Sequence, residues 1–529
     1  MKQYLVMASE MKRYDTNTIE QIGILSLVLM ERAALVTVEE LQRIYGERRA
    51  RVLVVAGCGN NGGDGFAIGR LLMLQGYCVE FVLIGERARC SRETAAQIEI
   101  LSKYGMSVKD AIDGAEYDIV IDALFGIGLS REVTGLYAET IERINRMESF
   151  VCSVDIPSGV CADDGSILGC AVRADMTVTY GFYKLGQMLY DGAVYCGRVI
   201  CREMGINDKS FLGDVPGWYT LREETGETLL PGRDACGNKG TFGKVLVIAG
   251  SSQVCGAAVL AAESAFRMGA GMIKTVTAEE NRNILLQAVP ESMILTYDDP
   301  GNGTENGIGK ETDDEIQRDA EFEAALSEAF DWADVILIGP GIGVGRQAEM
   351  LLGKCLTESK LPMVIDADGL NLIAEKPYLQ ELLERAGTGG RTIVLTPHLG
   401  EFARLYGCTV RQVKDHMLQY PMELAKRMQA VVVCKDARTV VTAPGAKAHY
   451  LNTTGNDGMA TAGSGDVLAG MIAGLLAQNM SGMEAAVCGV YLHGAAGDLA
   501  AQKKTRRSMM ATDIIEQISH VMEKRAKEC

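Results

Sequence analysis

The chain has 529 residues, of which 47% are hydrophobic and only 6% aromatic, and its formal net charge is -17. That length exceeds what one ordinary core organises, so two or more globular domains are predicted, and the apolar share excludes disorder over most of the chain. The acidic balance and the lack of a long Lys/Arg stripe argue against a general nucleic-acid or anionic-membrane surface, although a local anion site is allowed.

The early apolar stretch Ile22 to Met30 is far shorter than the roughly 20 residues that cross a bilayer. It is predicted as the buried face of an N-terminal helix leading into Glu31 and Arg32. Strand-like runs then recur at Arg51 to Ala56, Val79 to Ile84, Ile119 to Asp122, Val151 to Asp155 and Met176 to Tyr180, with helical patterns between them. Such alternation predicts a parallel, doubly wound sheet covered on both faces. The polar stretch Asn207 to Lys239 reads as a connector. A second series follows at Lys244 to Ala249, Met272 to Thr277, Val335 to Ile338, Met363 to Asp366, Thr392 to Leu395, Ala430 to Cys434 and Thr439 to Thr442. Helices are predicted near Gly256 to Met268, Gly465 to Leu476 and Met483 to Leu499, and the aperiodic stretch Asp298 to Asp319 as an exposed loop. The expected organisation is therefore a domain over 1–215, a linker over 216–239 and a second domain over 240–529. The 15 cysteines are scattered, with no signal peptide and no CxxC pair at metal-ligand spacing, so they are expected to be reduced in a cytoplasmic protein.

The first strand runs into Gly57-Cys58-Gly59-Asn60-Asn61-Gly62-Gly63-Asp64-Gly65, with a helix predicted from Phe66. Glycines let backbone approach a phosphate, and a helix N-terminus offers free N–H groups to an anion. Gly57-x-Gly59-x-x-Gly62 alone is a weak dinucleotide fingerprint, with Glu86 a doubtful ribose-binding acid. Three later segments should converge on the same crevice: Asp122 to Gly128, Asp155-Ile-Pro-Ser-Gly159 and Tyr180 to Gly186. Taken singly, Asp122 and Asp155 could equally cap helices at strand ends, and Lys184 could be a solvated loop lysine.

With those four segments in order, residues 1 to 215 resemble the NAD(P)HX epimerases, the N-terminal domain of the NAD(P)H-hydrate repair enzymes. The resemblance implies a substrate site at Asn60, Asn61, Gly62, Gly63, Asp64, Gly126, Ile127, Gly128, Leu129, Ser130, Arg131, Glu132 and Asp155. It also implies a potassium site at Asn61, Asp122 and Ser158, where one carboxylate plus neutral oxygens suits a weakly charged hard cation better than zinc. Asp155 is the candidate for proton transfer, assisted by Lys184.

In the second half, Gly463-Ser-Gly-Asp466 precedes an apolar helix. Backbone N–H groups at such a turn form an anion hole, and Asp466 stands where a base faces a substrate hydroxyl, which reads as phosphoryl transfer. A Gly-rich helix start capped by Asp466 is the bland alternative. The neighbours are Ser251 to Ala257, Gly339-Pro-Gly-Ile-Gly343, Asp366 to Asn371, Thr396 to Phe402 and Lys435 to Thr439. Together these resemble the ribokinase-like NAD(P)H-hydrate dehydratase domain over residues 225 to 525. By that resemblance Lys435, Asp436, Ala437, Arg438, Thr439 and Gly465 bind the nucleotide, while Ala257, Gly343, His398 and Asp466 line the hydrate site. His398 alone would more often be a packed or capping histidine. Asp436 stands where the family usually has glycine and Asp457 where it usually has proline; activity is expected to survive both.

The resemblance implies a bifunctional enzyme that epimerises hydrated NADH and NADPH and dehydrates the S form. ADP and magnesium serve the second reaction. A ribokinase-like small-molecule kinase with an N-terminal sensing or scaffold domain is the alternative. The expected partners are small molecules, neither nucleic acid nor membrane, and a homo-oligomer is left open because any apolar helix face can serve core or interface.

Overall fold

The computed structural model describes residues 2–46, 50–221, 229–298 and 313–523. It divides into two compact units, Tyr4–Tyr219 and Thr220–Cys529, the second also taking in Met1–Gln3.

The Tyr4–Tyr219 unit is built on β1 (Arg51–Ala56), β2 (Cys78–Leu83), β3 (Val108–Lys109), β4 (Ile119–Ala123), β5 (Phe150–Val154), β6 (Met176–Tyr180) and β7 (Arg198–Arg202), in the order β3-β2-β1-β4-β5-β6-β7. Every pairing is parallel. β1 and β4 sit at the centre and are almost wholly buried, as strands covered on both faces must be. The order reverses between β1 and β4, and at that point side chains and backbone at the strands' C-terminal ends enclose a crevice.

Strands β8 (Lys244–Ile248), β9 (Met272–Ala278), β10 (Met293–Tyr297), β11 (Val335–Ile338), β12 (Met363–Ile365), β13 (Ile393–Leu395), β14 (Val431–Cys434), β15 (Val440–Thr442) and β16 (His449–Leu451) form the sheet of the other unit. Their order is β10-β9-β8-β11-β12-β13-β14-β15-β16. The pairs are parallel up to β14, and β14-β15-β16 finish as antiparallel neighbours. The small-residue helices Gly256–Arg267 and Ser464–Leu476 pack closely: a Cβ at Gly470 would meet the Ala261 carbonyl oxygen at 2.3 Å, so only glycine lets the backbones approach.

The predicted α/β architecture holds, with four differences. Strands β3, β7, β10 and β16 were not anticipated; β3 is two residues long, β16 three, and β3, β7 and β10 lie at sheet edges, where apolar patterning is weak. Ile22 to Met30 is not one buried helical face: the helix begins at Ser26, Leu25 is 70% exposed, and only Leu29 and Met30 in this stretch are buried. The helix expected from Phe66 begins at Asn60. Of the loop expected over Asp298 to Asp319, residues 299–312 lie outside the described residues, and a helix, Asp313–Trp332, occupies the rest.

Candidate active sites

In the Tyr4–Tyr219 unit the segment Asn60-Asn61-Gly62-Gly63-Asp64 is the first turn of a helix rather than a loop. Glycine is required here for a steric reason. A Cβ on Gly57 would lie 2.1 Å from the Leu124 carbonyl oxygen, and one on Gly62 would lie 1.9 Å from that of Gly57. The turn is thus seated directly on the chain leaving β4. It borders a cavity of about 1090 Å³ whose lining includes Asn60, Asn61, Asp64, Gly126, Ile127, Gly128, Leu129, Ser130, Arg131 and Asp155. Gly62 and Gly63 are buried behind the turn, Glu132 is exposed, and none of the three is among the lining residues. Glu86 is exposed, pairs with Arg89 at 3.1 Å and is not among the lining residues.

Asp155 follows β5 with φ of +66°, a left-handed conformation rare for a non-glycine residue. The strain is held by its partners. Its Oδ1 accepts from Thr179 Oγ1 at 3.0 Å, from the Tyr180 amide at 3.2 Å and from the Lys184 ammonium, while its carbonyl accepts from Gln187 Nε2 at 2.6 Å. Lys184 is fully buried and not a solvated lysine; it also donates to Thr179 Oγ1 at 2.8 Å. Four further carboxylates border the same cavity, Asp64, Asp15, Glu93 and Asp163, and two of them are perturbed, Asp64 and Asp15. Burial first, and the Asp155 charge second, push both above the ordinary carboxylate range, Asp64 strongly so. Asp15 had no motif to announce it.

Asp122, wholly buried at the end of β4, accepts from Ser153 Oγ at 2.8 Å, the Ser158 amide at 2.9 Å and Ser158 Oγ at 2.5 Å. Burial raises its pKa against those hydrogen bonds. Ser158 Oγ also accepts from the Phe125 amide at 2.9 Å, and a Cβ on the adjacent Gly126 would come within 3.3 Å of the Asn61 side chain. Asn61, Asp122 and Ser158 are thereby brought together through the Phe125-Gly126 backbone. The buried Nδ2 of Asn61 has no hydrogen-bond partner.

The other unit gathers its predicted residues around Lys435, just beyond β14. Its ammonium bonds Asp366 Oδ1 at 2.8 Å, and Thr396 Oγ1 donates to the same oxygen at 2.7 Å. Burial opposes the charge on Lys435, but Asp366 and Glu401 outweigh it and its pKa is raised. Lys435 is thus tied into a carboxylate cluster, and Asp436 to Thr439 form the hairpin turn to β15, where Thr439 Oγ1 donates to the Asp436 carbonyl at 3.2 Å. Gly465 is the residue that approaches Lys435: a Cβ there would lie 3.2 Å from Nζ and 3.8 Å from Asp366 Oδ2.

Asp466, in the first turn of helix Ser464–Leu476, makes no capping bond. Burial, then the Asp366 charge, push its pKa up to about 7, with Lys435 opposing. His398 does cap a helix, as expected of a lone histidine at this position: Nδ1 accepts from the Gly400 amide at 2.9 Å and the Glu401 amide at 3.3 Å. It is also held beside the cluster, because His398 and Lys435 bridge in parallel and the Lys435 amide donates to the Pro397 carbonyl at 2.8 Å. Gly343, with φ of +76°, donates its amide to Asp368 Oδ2 at 2.9 Å. Ala257 is buried in the helix Gly256–Arg267, where its Cβ would lie 2.9 Å from one added to Gly341. The carboxylates Asp366, Asp368 and Glu401 were within quoted motifs without being assigned; what marks them is their position after β12 and β13. Buried His493, whose pKa burial lowers to about 4, lies 3.4 Å from Ser464 Oγ and had no sequence signal.

Each unit therefore carries, beyond the C-terminal ends of parallel strands, a lysine locked to an aspartate and a second aspartate pushed toward neutrality. That defines an enzyme with two α/β active sites. Residues 245–520 match the family model described as NAD(P)H-hydrate dehydratase, and residues 26–186 the YjeF-related protein N-terminus. The bifunctional NAD(P)H-hydrate repair enzyme of Moorella thermoacetica is 36% identical over 98% of this chain and 96% of its own length, and that of Escherichia coli 31% identical over 97% and 93%. Among solved structures, an ADP/ATP-dependent NAD(P)H-hydrate dehydratase from Bacillus subtilis aligns over 57% of this chain and 96% of its own, at 29% identity and a TM-score of 0.45. The chain belongs to the family of bifunctional NAD(P)H-hydrate repair enzymes.

Proposed function

We propose that the Tyr4–Tyr219 unit interconverts the R and S epimers of hydrated NADH and NADPH, and that the other unit dehydrates the S epimer with ADP as phosphoryl donor. The observation that carries the second half is Asp466: a carboxyl with a pKa of about 7, beside the Lys435–Asp366 pair, is poised to take a proton from the hydrate hydroxyl at neutral pH. Hydroxide leaves poorly from the ring, and phosphate leaves well. Transfer of the ADP β-phosphoryl group to that oxygen gives AMP and a phosphate ester, and elimination of phosphate returns NADH or NADPH. The nucleotide-binding set is Lys435, Asp436, Ala437, Arg438, Thr439 and Gly465, and the hydrate-facing set Ala257, Gly343, His398 and Asp466. Magnesium belongs with the donor phosphates: it keeps its waters and needs few protein carboxylates.

In the first unit Asp155, held by Lys184, gives the proton on which the hydrated carbon's hydroxyl leaves as water and takes one back from the water that adds to the other face. Potassium is assigned to Asn61, Asp122 and Ser158. The buried Asn61 amide lacks a partner, and turning that group by half a rotation presents its oxygen beside a single carboxylate and a hydroxyl, a donor set that fits a monovalent hard cation. Bound there, the ion would supply fixed positive charge next to the nucleotide. No described helix is long and apolar enough to cross a membrane; we place the reaction in the cytoplasm, where NADH and NADPH turn over.

The test is incubation of the purified protein with mixed-epimer hydrated NADH and ADP, alongside Asp155→Ala and Asp466→Ala. NADH absorbance returns with the unmutated protein. Its failure to return would sink the proposal, and a stable phosphorylated product in its place would identify a small-molecule kinase.

A further inference from the structure

Two of the thiols lie side by side at the rim of the first active site. Cys58 stands between Gly57 and Gly59 and lines the cavity. Cys90 follows the short 3-10 turn Arg87–Arg89. The two are joined through the backbone, since the Ser91 amide donates to the Cys58 carbonyl at 2.8 Å. Residues flanking one such hydrogen bond have α-carbons at most about 7.6 Å apart, and the usual disulfide range lies within that limit. Burial and then the neighbouring Cys58 push the Cys90 thiol up, and both side chains pack against the same hydrophobic core. Cys58 Sγ also lies 3.4 Å from the Glu86 carbonyl, and a Cβ on Gly85 would come within 2.7 Å of it. The thiol therefore points at the 85–90 segment. Among the described residues all 14 cysteines are free.

We infer that Cys58 and Cys90 form a reversible disulfide, made by exchange with a low-molecular-weight disulfide, that slows the reaction of the first site. This rests on the epimerase reading for its activity readout only. The exchange is balanced. The Cys58 thiolate attacks the small disulfide and expels one thiolate, leaving a mixed disulfide. The Cys90 thiol, its proton passing to solvent, then displaces the second small thiolate and closes the ring. The protein dithiol is oxidised and the small disulfide is reduced to two thiols. The active-site consequence follows from the chain path. The 85–94 segment already braces the glycine turn, through Ser91 on Cys58 and through Thr94 Oγ1 on the Gly59 carbonyl at 2.8 Å. A covalent link ties the Cys58 side chain to that segment and fixes the residues that lead into Asn60 and Asn61.

The test uses the full chain treated with oxidised glutathione and then digested for mass spectrometry. The expected product is a peptide pair joined through residues 58 and 90, lighter by two hydrogens and separated by a thiol reductant. In Cys90→Ser the exchange stops at glutathione on Cys58. Epimerisation by the oxidised protein should slow by about tenfold or more, as small displacements of positioning groups do, and recover on reduction, while dehydration of the S epimer by the same sample stays constant. Glutathione adducts without the 58–90 link in the unmutated chain, or a linked protein that epimerises at the reduced rate, refutes the inference. A reduced protein with no epimerase activity would refute the functional reading instead, and the mass of the joined peptides would still decide the disulfide.

Discussion

Asp466 sets the pH behaviour of the second site. Its folded pKa of about 7 lies above the ordinary value of 3.8, so the fold favours its protonated form. The stabilisation this gives is full below the ordinary value and is lost as pH rises toward about 7. Catalysis runs the other way, because a base must be ionised: dehydration at low substrate should climb as pH rises through about 7 and then level off. Asp466→Asn should lower the dehydration rate by about a hundredfold or more and flatten the loss of thermal stability between pH 4 and 7. A mutant that keeps the slope in melting temperature would show that another group produces it. Asp155 is coupled differently. Asp155→Ala leaves the fully buried Lys184 without its counter-charge, and removal of one partner from such a pair costs about 3 kcal/mol or more. Lower denaturant resistance should therefore accompany the lost epimerisation, and Lys184→Met should restore part of the stability of that mutant without restoring turnover.

At the scale of elements, the central strands were legible because strands buried on both faces read as continuous apolar runs, and Arg51–Ala56, Met176–Tyr180 and Val335–Ile338 fall where patterning puts them. The start of the helix at Asn60 was not, because Asn and Gly are poor helix formers and this turn is imposed by tertiary contact. The glycines that permit the contact are readable only with the partner backbone in view. Gly62→Ala should destabilise the Tyr4–Tyr219 unit by about 3 kcal/mol or more, since its Cβ meets an immovable carbonyl. Gly128→Ala, with nothing within 4 Å of its Cβ, should stay within about 0.5 kcal/mol in the same urea titration. Equal effects would mean that the turn is not seated on the residue 57 backbone. The motif residues His398 and Asp366 were visible, but the cluster joining them to Lys435 and Glu401 was not, because it depends on which loops follow neighbouring strands β12, β13 and β14.

For the whole molecule, the sequence announced two α/β series, and the two sheets turn out to share one strand order over their first seven strands. Each has its reversal between the first strand and the fourth, and each places a Lys–Asp pair beyond strand ends. Separate sites predict separable losses. With Asp466→Ala the two epimers should equilibrate without forming NADH, and with Asp155→Ala the S epimer should be consumed while the R epimer disappears only at its spontaneous rate, both followed by chromatography. Loss of both activities from either single substitution would contradict this independence.

Three of the carboxylates around the first cavity, Asp15, Asp64 and Asp155, with one lysine already committed to Asp155, make ligand binding an acid–base event. Asp15 and Asp64 are held toward their neutral forms by burial and by the Asp155 charge. A ligand that brings a phosphate into that space strengthens both influences, so it should draw protons from the buffer as it binds. The heat of binding measured by titration calorimetry would then change with the ionisation enthalpy of the buffer, and the slope would count the protons taken up. Identical heats in phosphate and Tris would mean that the cavity accepts its ligand without changing its protonation.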